Sequence, residues 1–203
     1  MKIICIGRNY AEHAKEMNAA VPTEPVFFLK PDTALIKDNQ PFYYPDFSKE
    51  IHHEVELVLK INKAGKNIDE AFAHKYYDEI GVGIDFTARD IQAKCKEKGL
   101  PWEKAKAFDG SAPIGMFMSK TEFKDLNAIN FHLLVNGAVV QKGSTKDLLF
   151  SFDAVVAYVS KFFTLKTGDL IYTGTPEGVG PVKIGDKLEA FIENKKLLEF
   201  EVK

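Results

Sequence analysis

The sequence predicts an α+β fold dominated by strands, and three observations carry that expectation. Short apolar or alternating runs of strand length recur from one end to the other, as in Val55-Glu56-Leu57-Val58-Leu59 and Leu197–Val202. Turn signals such as Asn136-Gly137 separate neighbouring runs. Helical patterning is confined to a few stretches, of which Ser151–Phe163 is apolar almost all round. With 203 residues, 45% hydrophobic and 28% charged, the chain suits one globular domain over 1–203 with a sizeable core. A net charge of -2 argues against general nucleic-acid or membrane-surface binding, since both require a net basic face. No run approaches the ~20 apolar residues of a spanning helix. Ile3–Ile6 ends at Gly7-Arg8-Asn9, which is too short for a signal peptide. Cys5 and Cys95 are too few for a disulfide framework or a Cys-based zinc site, so a reducing, cytoplasmic compartment is expected.

In chain order, Lys2–Ile6 reads as a buried strand and Gly7-Arg8-Asn9 as a turn. Tyr10–Asn18 then reads as a helix with Asn9 as its cap. His13 and Glu16 stand three apart on one face of that helix. A histidine held by a carboxylate is a usual general base, although the same spacing also suits an ordinary polar face. Val21–Pro25 is a proline-bounded loop. Val26–Leu29 is a strand ending in Lys30, a cation that either meets an anion or snorkels at the strand end. Ala34–Phe47 reads as irregular or edge strand. Asn67–Glu70 opens a short helix over Ala71–Tyr77.

Thr87 or Ala88 opens a longer helix to Lys98, closed by Gly99, with Arg89 and Gln92 on one face. Trp102, the only tryptophan, plugs the core or rims a pocket. Lys106 lies among small and aromatic residues, a setting that holds an anionic substrate or lowers a lysine pKa. The remainder is mainly strand: Pro113–Met118, Asn130–Val135, Ala138–Lys142, Leu170–Tyr172, and a last hairpin of Leu188–Ile192 with Leu197–Val202. The exception is the Ser151–Phe163 helix, with Ser151 as cap and Asp153 in its first turn. Thr173–Gly180 is glycine-rich but lacks the Gly-Lys-Ser/Thr ending of a phosphate loop. It presents amides and Thr175 to a small anion, or simply turns a corner between strands.

His52–Leu59 reads as one strand on which Glu54 and Glu56 share a wall while Val55, Leu57 and Leu59 line the other face. The run Ile80–Phe86 adds Asp85 amid apolar residues, where an unpaired carboxylate is costly. Three oxygen ligands and no cysteine favour a hard divalent ion, Mg²⁺ or Mn²⁺. On this reading His52 backs the acids as a hydrogen-bond donor and His53 points away. The plainer alternative is a solvated Glu-x-Glu face with an unrelated Asp in a turn.

Six motifs in order span nearly the whole chain. They are Gly7-Arg8-Asn9-Tyr10-x-x-His13-x-x-Glu16, Phe28-Leu29-Lys30-Pro31, His52-His53-Glu54-x-Glu56, Asp85-x-Thr87-x-Arg89-Asp90-x-Gln92, Gly99-Leu100-Pro101-Trp102 and Thr173-Gly174-Thr175-Pro176-x-Gly178-Val179-Gly180. Together they resemble the fumarylacetoacetate hydrolase family, most nearly its short single-domain branch with acylpyruvase and oxaloacetate decarboxylase activity. The resemblance implies a mixed β-sheet roll with peripheral helices, a homodimer, and a Mg²⁺ or Mn²⁺ site made by Glu54, Glu56 and Asp85. It implies His13 and Glu16 as the general-base pair, on a helix that orders over bound substrate. Lys106 and Gln92 match positions around the reacting end of the substrate, while Lys30, Arg89 and Thr175 match positions near the active site.

The implied substrate is a small 2-oxoacid. Its reactions would be hydrolysis of an acylpyruvate to pyruvate and an acid, or decarboxylation of oxaloacetate. Keto–enol tautomerisation, double-bond isomerisation of a 2-hydroxy-diene-dioate, and 2-oxoacid binding without catalysis are the alternatives. A second carboxylate on the substrate would call on Lys30 or Arg8.

Overall fold

A seven-stranded mixed sheet organises the protein, in a computed structural model that describes residues 1–17 and 20–203. Its strands run in the spatial order Val26–Lys30, Ile3–Gly7, Leu170–Tyr172, Val55–Ile61, Tyr77–Ile84, Ala112–Ser119 and Leu35–Ile36. Two neighbouring pairs are parallel, Ile3–Gly7 with Leu170–Tyr172 and Leu35–Ile36 with Ala112–Ser119; the others are antiparallel. A four-stranded antiparallel sheet of Ala138–Ser144, Asn130–Val135, Lys187–Ile192 and Lys195–Glu201 packs beside it. A small third sheet joins Gly180–Pro181, Ile51–His53 and Thr87–Ala88. The β-rich α+β expectation therefore holds.

Alternation decides what each face of the large sheet buries. Ile4, Ile6, Leu57, Leu59 and Val82 join the main core, together with Val155, Val156 and Val159 of the apolar helix. Ile3, Cys5, Val58, Ile114, Leu170 and Tyr172 form a smaller cluster. Glu56 lies between the inward residues Val55 and Leu57, so it emerges on the face of the smaller cluster. Opposite it in register stands Gly83, where a Cβ would come within 2.7 Å of the Tyr172 ring. Only glycine leaves room for that ring at this position.

Among the described residues five α-helices decorate the sheets: α1 (Ala11–Glu16), α2 (Glu70–Ala73), α3 (Arg89–Lys98), α4 (Glu103–Lys106) and α5 (Phe152–Ser160). The α3 helix ends on Gly99 in the left-handed conformation (φ 62°), and Ser151 caps α5 by accepting from the Ala154 amide, both as the sequence indicates. Among the described residues no helix is long and apolar enough to cross a membrane. The hairpin turn at Asn136-Gly137 has φ values of 52° and 80°, as a two-residue primed turn requires.

Three expectations change in detail, and one falls outside the described residues. Asn9 does not cap α1: its buried amide donates to the carbonyls of Thr173 (2.8 Å) and Phe150 (3.1 Å) and accepts from the Phe150 amide, stapling the first turn to the glycine-rich loop. The last residue of the expected first helix, Asn18, falls outside the described residues. The expected Ala71–Tyr77 helix is only α2, because Tyr77 already begins a strand. Finally, His52–Leu59 is not one strand. It breaks at Glu54, where Ile51–His53 leaves for the third sheet, and its partner breaks alongside it at Asp85. The Asp85 amide donates to the Glu54 carbonyl at 2.8 Å across this double break. Both acids thus sit where two paired strands pass together from one sheet to another.

Candidate active site

At that crossing Glu54, Glu56 and Asp85 bring carboxylate oxygens within 4.8 Å of one another. They are 5%, 2% and 1% exposed, so their charge must be met by protein or by an ion rather than by water. Two of the three are met. The Lys106 ammonium donates to Glu54 Oε2 and Asp85 Oδ2 at 2.7 Å each. Arg89 donates to Glu54 Oε1 at 2.6 Å and to Gln92 Oε1 at 2.7 Å, as their shared helix face leads one to expect. Lys30 lies 2.8 Å from Asp85 Oδ1. Among the described residues Glu56 receives only the Gly174 amide, at 2.8 Å.

The proton affinities follow from this asymmetry. Burial would raise the Glu54 carboxyl, but Lys106 and Arg89 outweigh it and hold the group well below the ordinary carboxylate range. Burial, followed by the charges of Asp85 and Glu54, pushes Glu56 well above that range, and the Gly174 amide offsets only part. Lys106 corrects one expectation. Burial alone would lower its pKa, yet Asp85 and Glu54 raise it, so the ammonium stays charged.

The donor set fits a hard divalent cation. All three ligand groups offer oxygen, Asp85 Oδ1 is buried without a hydrogen bond despite its nearby lysine, and Glu56 is under-compensated. Glu54, Glu56 and Asp85 are the residues that would hold it.

Above the acids lies a cavity of roughly 50 Å³, room for an ion with a few waters or for the head of a small acid. His13 and Met17 from the α1 segment, Thr175 from the glycine-rich loop, and Arg89, Gln92 and Lys106 all border it. His13 Nδ1 is 3.1 Å from Glu16 Oε2. The carboxylate can only accept, so Nδ1 carries the proton and Nε2 is left as the basic nitrogen. The other oxygen of Glu16 accepts from the Gly178 amide at 3.0 Å, which holds α1 against the glycine-rich loop.

Two expected site residues do not line the cavity: Glu16, which reaches it through His13, and Lys30. Besides its ion pair with Asp85, its ammonium donates to Lys106 O, Ser111 O and Ser111 Oγ, and it is 2% exposed. It is the cation behind the acids rather than one in front of them. His52 does not take its expected place as a donor behind the acids, because the strand breaks at Glu54. His52 pairs with Glu50 at 3.1 Å, whereas buried His53 bonds Gln141 Oε1 at 2.8 Å. Gln141 in turn donates to Thr175 Oγ1 at 2.9 Å.

Sequence reading missed Gln141 and Ser111, and did not assign the Gly174 amide to Glu56. The one local signal was Gly174 itself: with φ 105° and a would-be Cβ only 2.7 Å from Asn9 Cβ, that position requires glycine to put its N–H on Glu56.

Residues 2–203 match the family described as fumarylacetoacetate (FAA) hydrolase C-terminal. The chain belongs to the fumarylacetoacetate hydrolase family. Within the family it is 46% identical over 201 residues to the mitochondrial oxaloacetate tautomerase FAHD1 of Mus musculus, covering 99% of this chain and 91% of that one. It is 46% identical over 197 residues to oxaloacetate tautomerase YcgM of Escherichia coli, covering 97% and 90%. Its fold superposes with a TM-score of 0.93 and 38% identity on the crystal structure of fumarylpyruvate hydrolase from Pseudomonas aeruginosa in complex with Mn²⁺ and pyruvate, covering 100% and 89% of the two chains.

Because Glu16 ties α1 to Gly178, a ligand that fills the cavity should strengthen that closure. Tryptic cleavage after Lys15 is expected to slow when oxalate and Mg²⁺ are present together; an unchanged rate would show that α1 does not close over ligand.

Proposed function

We propose that the protein is a divalent-metal-dependent enzyme acting on small 2-oxoacids, with keto–enol tautomerisation of oxaloacetate as its main reaction. One observation carries the reading: a carboxylate-oriented histidine with a free basic nitrogen borders the same small cavity as three buried carboxylates fit for a cation. Metal-assisted proton transfer next to a carbonyl needs that pairing of base and electrophile. The sequence reading placed hydrolysis and decarboxylation first. The high identity to proteins named oxaloacetate tautomerases, over almost the whole chain, moves tautomerisation ahead.

Tautomerisation transfers one proton between C3 and the 2-keto oxygen and breaks no C–C bond. His13 Nε2 is positioned to take the proton, with Glu16 stabilising the imidazolium that results. A divalent cation held by Glu54, Glu56 and Asp85 would supply Lewis acidity toward the keto oxygen. Lys106 stays cationic and stabilises negative charge developing beside it in a site largely closed to water.

The second reading is hydrolysis of an acylpyruvate, in which the same His13–Glu16 pair activates water for attack on the distal carbonyl. The likeness to fumarylpyruvate hydrolase supports it.

Loss of enol-oxaloacetate absorbance and release of pyruvate from acetylpyruvate should be measured side by side, each with Mg²⁺, with chelator, and with metal but no protein. We expect protein- and metal-dependent loss of the enol to be the faster reaction. Faster release of pyruvate from acetylpyruvate would make the protein a hydrolase instead, and silence in both assays would overturn the assignment.

A further inference from the structure

Two cations on the cavity wall have no counterpart in the proton-transfer machinery. Arg8 and Lys96 both line the cavity that holds the three acids, yet neither forms an ion pair among the described residues. The inner cations are all engaged: Lys30 with Asp85, Lys106 with Glu54 and Asp85, and Arg89 with Glu54 and Gln92. Lys96 sits 5.8 Å over the ring of Trp102, which borders the same space. Its proton affinity is lowered by burial and then by the charges of Arg89 and Arg8, so the positive field of the wall is felt at its ammonium.

Arg8 also occupies a position that disfavours it. Its φ is 59°, and the other non-glycine residues with positive φ are Asn or Asp, apart from Glu193. Strain of this kind persists where the surroundings over-determine it and where the side chain is needed. The turn is held on one side by Gly7 at the end of its strand. On the other, Asn9 is hydrogen-bonded to Thr173 and Phe150. That anchorage directs a half-buried guanidinium to the cavity.

We propose that Arg8 and Lys96 form the subsite for the far carboxylate of a short dicarboxylic 2-oxoacid, and so select diacids over 2-oxoacids with an uncharged end. The inference rests on the reading of the site as one for 2-oxoacids and specifies which of them it takes. The keto acid head lies at the buried acids, and the second carboxylate meets the only cavity cations left without an anionic partner among the described residues. Guanidinium and ammonium give it charge-assisted hydrogen bonds. The small cavity limits the spacing of the two ends to a few carbons.

The test compares three ligands in Mg²⁺ buffer, using the fluorescence of Trp102, the sole tryptophan, as the binding signal. Oxaloacetate has both ends, 2-oxobutyrate replaces the far carboxylate with a methyl group, and oxalate offers only the head. The wild type is expected to bind oxaloacetate about 10- to 100-fold more tightly than 2-oxobutyrate, the range for hydrogen bonds between charged groups. Arg8→Asn, which suits the positive φ, should lose most of that preference, keep its affinity for oxalate, and melt at the same or a higher temperature. Lys96→Gln should reduce the preference as well.

Equal wild-type affinity for oxaloacetate and 2-oxobutyrate would overturn the proposal. So would an Arg8→Asn variant that weakens oxalate as much as oxaloacetate, because that pattern marks a structural role. The signal needs no turnover. Preserved diacid preference in a protein that fails to tautomerise oxaloacetate would sustain the subsite and remove only the reaction.

Discussion

Asp85→Asn is expected to destabilise the protein by about 3–5 kcal/mol, the range for breaking a buried ion pair, whereas Glu56→Gln should abolish metal binding and still fold. The two acids face the same cation site but have opposite relations to the protein. Asp85 is 1% exposed between Lys30 and Lys106, and removing its charge leaves two buried ammonium groups short of their partner. Among the described residues Glu56 pairs with no cation, and the carbonyl oxygen of its neutral analogue can still accept from the Gly174 amide. Urea unfolding in chelator separates the variants, and equal stability losses would show that the cations do not depend on Asp85.

The pH dependence follows from the same contrast. Glu56 has a folded-state pKa raised above its unfolded value, so between those values the folded state holds the extra proton. Its contribution to stability is therefore lost as pH rises from the ordinary carboxylate range toward the folded pKa. Glu54, with a depressed folded pKa, has the opposite sign in a lower window: its contribution is lost as pH falls below the ordinary range. In chelator, the stability of wild type relative to Glu56→Gln should accordingly decline as pH rises above the ordinary carboxylate range. Mg²⁺ should restore it more at the higher pH, because the cation binds the ionised site. A flat difference would mean that Glu56 is already compensated without metal.

His13→Ala should lower tautomerisation of oxaloacetate and any hydrolysis of acetylpyruvate by about 10²- to 10⁴-fold, the usual contribution of a positioned general base. Both reactions need the imidazole, one to carry the C3 proton and the other to activate water. Decarboxylation of oxaloacetate needs neither step, so any such activity should survive the substitution far better. Glu16→Gln should fall between wild type and His13→Ala, since it keeps the shape of the helix but weakens the partner of Nδ1. The three reactions are to be measured on each variant at saturating Mg²⁺. Uniform loss across all three would show that His13 shapes the site rather than moving protons.

Much of the site was legible because its signals are local. Glu54, Glu56 and Asp85 could be grouped by residue type and apolar surroundings, His13 with Glu16 by helical spacing, and Arg89 with Gln92 by the same rule. Lys30 was recognisable only as a cation ending an apolar strand. Whether it faced substrate or the back of Asp85 depended on Ser111, 81 residues away, which receives its ammonium. The role of His52 was misjudged because strand alternation holds only within an unbroken strand, and the strand breaks at Glu54 where its two parts pair with the segments on either side of Asp85. Gln141 gave no signal, since its role depends on meeting His53 and Thr175 from another sheet.

By itself the sequence determined the β-rich class, most strand positions, the caps at Ser151 and Gly99, and the residue types that meet in a buried cluster of three carboxylates and in a His–Glu pair. These rest on periodicity, propensity and chemistry acting over a few residues. The tertiary structure alone decided which cation pairs with which acid, which histidine is buried, and which positive charges remain open to a ligand. Those outcomes depend on long-range contacts that bring distant segments within about 3 Å, the range in which hydrogen bonds and buried charges are won or lost.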